Sequence, residues 1–243
     1  MHAPSEKRAF VAGSSGVIGT ILCQLLLEDG WQIVGTTRSR ETATRLQALG
    51  VQPEVVDVFD REALIRAVCA AKPHVVVHQL TDLPKTFTPE AMAAARERNA
   101  RIREVGTDNL VAAAVASGAK RLVAQSIAFA YAPGQTPLLE EASLDASAFP
   151  SVIKLEQLVV ESGLEGIVLR YGRLYGPGTW TLDPPDQAPV HVDAAAAAAR
   201  QAMTLGQTGV YNIVEDGDTV INTKAKLELH WNPYFRNHGH HES

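Results

Sequence analysis

Three glycines spaced three apart, Gly13, Gly16 and Gly19, stand in the run Phe10-Val11-Ala12-Gly13-Ser14-Ser15-Gly16-Val17-Ile18-Gly19. An apolar run precedes them and an amphipathic helical pattern follows, so they occupy a strand-to-helix turn. In that setting Gly13 permits a sharp turn, Gly16 lets backbone approach a ligand with no Cβ in the way, and Gly19 lets the helix pack closely on a sheet. The turn amides and the positive end of the helix then face the same way, a geometry suited to a diphosphate. Gly13, Ser14, Ser15, Gly16, Val17, Ile18 and Gly19 are therefore the candidate contacts. A glycine triplet alone could be merely a tight turn. As the first strand-to-helix turn of an alternating chain, it points to a dinucleotide.

A second position bears on which dinucleotide. Where an NAD site carries Asp or Glu at the end of the second strand, to accept from the ribose 2′-OH, this chain reads Gly35-Thr36-Thr37-Arg38-Ser39-Arg40. The carboxylate is absent, and Arg38 is placed to meet a 2′-phosphate with a planar donor fork. NADP is the expected cofactor, with NAD the alternative. The competing explanation makes Arg38 and Arg40 solvated residues at a helix start.

The elements that must position these groups follow from periodicity. Arg8–Ala12, Gln32–Thr36, Pro53–Val58, His74–Leu80, Arg121–Ser126, Gly166–Tyr171 and Val210–Val214 read as strands, several apolar throughout, as central parallel strands are. Between them Val17–Asp29, Glu41–Leu49, Asp60–Ala71, Pro89–Ser117 and Ser151–Ser162 carry apolar residues at helical spacing. Gly30 and Gly50 fall at helix ends, and Asp60 caps the helix it opens. The alternation predicts an α/β fold, a Rossmann-type doubly wound parallel sheet. Residues 1–165 would form the nucleotide-binding part. Residues 166–243 would supply the last strands and a reduced C-terminal substrate lobe of one compact unit. Pro177–Pro189 is the one long irregular segment, and Ala194–Ala199 reads as helix.

Composition narrows the function classes. The 243 residues are 46% hydrophobic with a formal charge of -5, which leaves no broad basic surface for nucleic acid. Cys23 and Cys69 both lie in apolar helical pattern, as free thiols of a reducing, cytoplasmic setting do. No apolar run approaches the roughly 18 residues that span a bilayer, so no membrane partner is expected. The histidine-rich tail Asn237–Ser243 reads as a frayed end, and no metal site is expected.

With further blocks in order, the chain resembles the extended short-chain dehydrogenases/reductases, the NAD-dependent epimerase/dehydratase-like group. Val55-Val56-Asp57-Val58 is similar to that family's third-strand segment, whose Asp meets adenine. Val75-Val76-Val77-His78-Gln79-Leu80-Thr81 is similar to its fourth strand, which ends beside the adenine-side ribose. Gly106-Thr107-Asp108-Asn109-Leu110 through Gly118-Ala119-Lys120-Arg121-Leu122-Val123 resembles the long helix and its exit into the fifth strand. Leu169-Arg170-Tyr171-Gly172-Arg173-Leu174-Tyr175-Gly176-Pro177-Gly178 resembles the segment lining the nicotinamide pocket. Val190-His191-Val192-Asp193, Val210-Tyr211-Asn212-Ile213 and Lys224-Ala225-Lys226-Leu227-Glu228-Leu229 follow in the family's order. The resemblance implies that Asp57, Val58, Leu80 and Thr81 meet the adenosine half of the cofactor, and Tyr171, Gly172 and Leu174 the nicotinamide half. Only about 30 residues follow Tyr211, where the family carries a larger portion, so a shallow substrate site is expected.

In this family a Tyr acts as acid and base, a Lys four residues later lowers its pKa, and a Ser or Thr orients the substrate oxygen. The matching helix here reads Ala148-Phe149-Pro150-Ser151-Val152-Ile153-Lys154-Leu155-Glu156-Gln157. If Lys154 is the family lysine, the tyrosine position holds Pro150. If Glu156-Gln157 sets the register, the Tyr and Lys positions hold Ala148 and Val152. Either way the tyrosine is absent. Ser126, displaced by one position from the family's hydroxyl, and Tyr131, a replacement phenol beyond the fifth strand, are the candidate catalytic residues. Each has a competing structural role, at a strand end for Ser126 and in packing for Tyr131. Tyr175 and His191 are further pocket candidates with buried structural roles as the alternative, and Lys154 reads as a solvated helix residue. Arg103 replaces the Asn that in the family supports the lysine through water, which implies an altered proton relay. Arg96, Arg98, Arg101 and Arg103, interleaved with Glu97 and Glu104, read as a solvated, salt-bridged face. Binding of an anionic substrate is the alternative.

The implied function is that of an NAD(P)(H)-dependent oxidoreductase or epimerase acting on a small carbonyl or hydroxyl substrate without the usual tyrosine. A redox-inactive NADP-binding sensor or interaction protein is the rival reading. The helices over 89–117 and 151–162 correspond to those that pair across a two-fold axis in the family, so a homodimer is expected.

Overall fold

Seven strands, most of them apolar runs, form one wholly parallel sheet. In chain order the strands are β1 (Arg8–Ala12), β2 (Gln32–Thr37), β3 (Gln52–Val55), β4 (Val75–His78), β5 (Arg121–Ile127), β6 (Glu165–Tyr171), β7 (Arg173–Tyr175), β8 (Pro189–His191) and β9 (Gly209–Ile213). The sheet runs β3-β2-β1-β4-β5-β6-β9, while β7 and β8 pair with each other apart from it. Phe10 of β1 stands opposite Val34 of β2 and Val76 of β4. From β1 the chain moves outward to β3 and then returns to start β4 on β1's other side. The switch point, where such sheets bind ligands, therefore lies at the carboxyl ends of β1 and β4. The computed structural model describes residues 7–84, 86, 88–134 and 136–237. The tail from 238, with the expectation attached to its histidines, lies outside them.

Period-two alternation sends successive β1 residues to opposite cores. Ala9 and Val11 join the cluster under α1 (Val17–Glu28), α2 (Arg40–Ala48), α7 (Val192–Ala202) and α8 (Thr223–Glu228). Phe10 and Ala12 join the cluster under α3 (Arg61–Ala71), α5 (Thr107–Ser117) and α6 (Pro150–Val160). Ile167 and Leu169 of β6 and Tyr211 of β9 belong to the first cluster with Ala9, so the segments beyond residue 165 share the core of the nucleotide-binding strands.

The strands differ from the sequence reading mainly at their exits. β3 stops at Val55 and β4 at His78, which leaves Asp57, Val58, Leu80 and Thr81 in the loops that rim the crevice. The long helix expected over 89–117 forms, but α4 (Pro89–Arg101) passes into α5 through one π-helical turn, Ile102–Gly106. Such a turn holds an extra residue and re-aims side chains. The β7–β8 pair and α8 were not legible in the sequence, because three-residue strands and a two-turn helix carry too little periodicity.

The alanine run becomes the buried middle of α7. Ala194 to Ala199 are all buried, and Trp231 donates its indole N–H to the Ala194 carbonyl at 2.8 Å. Small side chains let this helix seat against the sheet and α1 at once, and the site leaves no room for a larger residue. Ala198→Leu is expected to destabilise by about 1–3 kcal/mol through overpacking. A urea midpoint lowered at unchanged slope checks it.

Candidate functional site

A cavity of about 190 Å³ opens at the carboxyl ends of the switch-point strands. Gly13, Ser15 and Gly16 line it from the first turn, Arg38 from beyond β2, Asp57 and Val58 from beyond β3, and Leu80 and Thr81 from beyond β4. The other residues singled out for the cofactor lie elsewhere. Ser14 is fully buried and donates its hydroxyl to the Thr36 carbonyl at 3.1 Å. Ile18 and Gly19 are buried in the packing of α1, and Val17 is exposed beside Gly178. Tyr171 is buried with its hydroxyl accepting from the Gln79 side-chain amide at 3.1 Å; Gly172 is buried beside it, and Leu174 packs partly buried on the first core cluster. A larger cavity, about 530 Å³, lies at the opposite edge of the sheet between Arg8, Trp31, Gln52 and Ala71. Its one lining glycine, Gly50, follows the end of α2, and none of its lining residues opens a helix, whereas the carboxyl-edge cavity is lined by the turn that opens α1.

Backbone proximity explains the glycine turn. Gly13 has φ +91°, and a Cβ there would lie 2.6 Å from the Gln79 carbonyl carbon. A Cβ on Gly19 would lie 2.0 Å from the Gly13 oxygen. Any other residue at either place pushes α1 off the sheet. Gly16 opens α1 with no side-chain cap and no acidic residue in the first turn. By contrast, Ser39, Asp60 and Thr88 accept backbone N–H groups at the starts of α2, α3 and α4. The first amides of α1 thus keep their hydrogen-bonding capacity and a positive potential for an anion. This cradle, which a Cβ would fill, fits a diphosphate.

Arg38 is exposed at the rim, and among the described residues its guanidinium makes no hydrogen bond or ion pair. Asp57 accepts from the Phe59 amide at 2.9 Å, and Asn109 donates to the Val58 carbonyl at 2.9 Å. Between them these bonds fix the β3 exit loop over the cavity. On the other side, Gln125 of β5 donates to the Leu80 carbonyl at 3.0 Å.

At the end of β4, His78 is fully buried. Burial first, and the nearby Arg103 charge second, push its pKa down to about 4. Its Nδ1 accepts from the Leu80 amide at 3.2 Å, so the proton is assigned to Nε2, which donates to the Thr107 hydroxyl at 3.0 Å. A neutral imidazole therefore ties the β4 exit to α5.

The two hydroxyls singled out for catalysis are both engaged in one buried network. Ser126 donates to Glu156 at 2.6 Å, and Arg170 clamps the same carboxylate from Nε and Nη2 at 2.9 and 2.7 Å. The Arg170 Nη1 donates to the Tyr131 hydroxyl at 2.8 Å, which in turn donates to Asn212 at 2.6 Å. Burial raises the Tyr131 pKa above the usual phenol value, with the Arg170 charge opposing it. The face of α6 turned to the sheet carries Val152 and Glu156, whereas Ala148, Pro150 and Lys154 are exposed. Tyr175 and His191 meet edge to face at 5.1 Å, and Tyr175 hydrogen-bonds Glu215 and Arg236. Burial and then Glu215 push the Tyr175 phenol up to about 12.

The four clustered arginines have separate fates. Arg96 is exposed, Arg98 pairs with Asp82, and Arg101 lies over the Phe59 ring at 4.0 Å. Arg103, in the π-helical turn, is half-buried and makes no hydrogen bond or ion pair among the described residues. The sequence reading missed the Glu156–Arg170 pair. Its signal was present, because an arginine inside the otherwise apolar β6 run needs a buried partner. Nothing local indicated that the partner is on α6.

A family model described as the NAD dependent epimerase/dehydratase family matches residues 9–219. The chain is 41% identical over 239 residues to a 3-diazoavenalumate denitrifying reductase from a Streptomyces species, a match spanning 86% of this chain and 76% of that protein. In fold it is similar to the UDP-glucose 4-epimerase of Thermotoga maritima, solved with UDP-glucose, at TM-score 0.74 and 19% identity over 94% of each chain. It is also similar to the UDP-glucuronic acid 4-epimerase of Bacillus cereus, solved in complex with NAD, at TM-score 0.73 and 16% identity over 94% of each chain.

Proposed function

The chain belongs to the NAD-dependent epimerase/dehydratase family and is an NAD(P)-dependent enzyme of oxidoreductase or epimerase chemistry; from that premise we propose an NADPH-linked reductase whose substrate accepts a hydride without a proton from the protein. The observation that carries this reading is the absence, among the described residues, of a free acid on the α6 face. Val152 stands where that face meets the sheet, and the Ser126 and Tyr131 hydroxyls are engaged by Glu156, Arg170 and Asn212. Epimerisation by oxidation and re-reduction needs a base at a hydroxyl, and so does carbonyl reduction in reverse. The Streptomyces relative, by its name, releases nitrogen from a diazo-bearing carboxylate, and we extend that substrate class to this chain.

When bound, the reduced nicotinamide supplies a hydride; on a diazonium carbon the C–N bond breaks with its electron pair leaving on dinitrogen while the C–H bond forms, and no acid is consumed. The chain's own part is binding and placement. The α1 amides, with Gly13, Ser15 and Gly16, would hold the diphosphate, and Asp57, Val58, Leu80 and Thr81 would border the adenosine half; Tyr171, Gly172 and Leu174, which do not line the cavity, would support the nicotinamide half only from within the core. Ser126 and Tyr131 act as positioning residues that hold the β5 and β6 ends through Glu156 and Arg170.

Incubation of the protein with NADPH and diazotised aminobenzoate tests the reading. Dinitrogen release matched one to one by NADPH oxidation is expected, with deuterium from labelled NADPH found at the carbon that lost nitrogen. Turnover of ketones or of UDP-glucose, with none of the diazonium compound, overturns it.

The preference for NADPH rests on Arg38 and the missing carboxylate after β2. Charge-assisted bonds to a phosphate are worth about 1.5–3 kcal/mol. Arg38→Ala is therefore expected to raise the NADPH Kd about ten- to a hundredfold and to leave the NADH Kd within about twofold, read by fluorescence titration. A cytoplasmic setting suits the free Cys23 and Cys69. A homodimer through α4, α5 and α6 suits the exposed Val105 and Val115, and sedimentation tests it.

A further inference from the structure

The irregular segment between β7 and β8 has its two ends side by side, because Tyr175 pairs with His191. Residues 176–188 therefore form an arm that leaves and rejoins the body at one place, as a compact surface loop does. The first turn of the arm is bonded to itself. The Gly176 amide donates to the Thr181 carbonyl at 2.9 Å, and the Thr179 hydroxyl reaches the Gly176 and Thr181 carbonyls at 2.8 and 2.7 Å. Gly176 and Gly178 hold φ at +104° and +82°, values that residues with a Cβ rarely adopt, and so aim the tip. That tip meets two other parts of the chain. Gly178 stands against Val17, the first residue of α1, since a Cβ on this glycine would lie 3.4 Å from the valine side chain. Trp180 donates its indole N–H to the Pro84 carbonyl at 3.0 Å.

These contacts fall on the two segments that flank the switch point. Val17 follows Gly16, and Pro84 follows the β4 exit, whose Leu80 and Thr81 line the same cavity as Gly16. That cavity extends toward the ends of β2 and β3, whereas the arm springs from beyond β6, on the other side of the switch point. A dinucleotide with its diphosphate at the start of α1 and its adenosine toward β2 and β3 must extend its other half toward the arm. Four large apolar side chains stay exposed here, Val17 and Leu83 on the flanking segments and Trp180 and Leu182 on the arm. Apolar surface of this kind is what a bound ligand covers.

We infer that Trp180 is a positioning residue whose bond to Pro84 latches the arm across the crevice and retains the nicotinamide-side half of the dinucleotide. The bond opens before the cofactor leaves, so it slows release. This rests on dinucleotide binding at the start of α1 and goes beyond the reductase reading, because retention does not depend on which substrate is reduced.

The test needs no substrate. Protein loaded with NADPH, or with NADH, is mixed with an excess of the oxidised nucleotide, and the decay of bound-nucleotide fluorescence gives the dissociation rate. Trp180→Phe keeps a ring and removes the N–H donor. It is expected to speed dissociation about three- to tenfold, the effect of one neutral hydrogen bond, and to leave the Kd of 2′,5′-ADP, which stops at the adenosine half, within about twofold. In the unsubstituted protein, hydrogen exchange of the amides over 176–183 is expected to slow when the cofactor is added. A variant that releases the nucleotide no faster overturns the inference. So does one that weakens 2′,5′-ADP equally, which would make Trp180 a general support of the β4 exit, and so does an arm whose exchange ignores the cofactor. Failure of both nucleotides to bind the unsubstituted protein overturns the inference together with the cofactor reading beneath it. Failure of the reductase reading would show separately, as faster release from the variant without dinitrogen formation by the unsubstituted protein.

Discussion

Glu156→Gln is expected to destabilise the protein by about 3–5 kcal/mol, the cost of leaving a buried cation without its partner. Glu156 and Arg170 are 7% and 4% exposed, so water cannot take over the lost contact. The carboxylate also accepts the Ser126 hydroxyl, which would have to find another acceptor. Arg170 would keep its bonds to Tyr131 and to the Glu140 carbonyl, and at most one uncharged bond to the glutamine oxygen, while the glutamine NH2 would face the guanidinium. Replacing both charges, as Glu156→Leu with Arg170→Met, is expected to recover most of the loss, because the desolvation cost disappears with the pair. Urea unfolding of the two single variants and the double variant measures this. A single-variant loss under about 1 kcal/mol would mean the network is wetter than its geometry. Because the pair joins α6 to the end of β6, the same variants are expected to raise KM for substrate more than they change the NADP+ Kd.

The second large effect is a dependence of stability on pH. His78 has its pKa lowered from 6.5 to about 4 by burial and then by Arg103, so below pH 6.5 the unfolded chain binds a proton that the folded chain refuses. Stability is complete above 6.5 and falls as pH drops through the interval down to about 4. At 1.36 kcal/mol per pH unit the loss attributable to this one group reaches about 3 kcal/mol. His78→Asn removes that contribution. The difference in urea stability between the two proteins should therefore shift by about that amount between pH 7 and pH 4, while carboxylate protonation, common to both, cancels. Parallel pH profiles would show that the imidazole takes up its proton in the folded state.

These outcomes separate what is local from what is not. The glycine turn was legible because its requirement is written in consecutive residues. A strand ends, Gly13 adopts a positive φ, and a helix opens at Gly16 without a side-chain cap. Arg38 was legible for the same reason, since the end of β2 is set by the apolar run that precedes it. The fold class followed from the alternation of strands and helices, and each helix start at Ser39, Asp60 and Thr88 is a matter of three or four neighbouring residues.

The state of the candidate catalytic groups was of another kind. Ser126 and Tyr131 were visible as hydroxyls near a strand end, but whether a hydroxyl is free depends on what packs against it. Tyr131 meets Asn212, 81 positions away, and Ser126 meets Glu156, 30 positions away. Among four arginines of similar appearance, helix spacing could not tell which would be left without a partner, because an unannounced π-helical turn re-aims the last of them. The order of residues thus determined the sheet and the glycine turn, since each depends on backbone geometry or residue identity within a short stretch. Only the tertiary structure decided which buried charges are paired and which imidazole stays neutral, because these depend on which helix face meets which strand end.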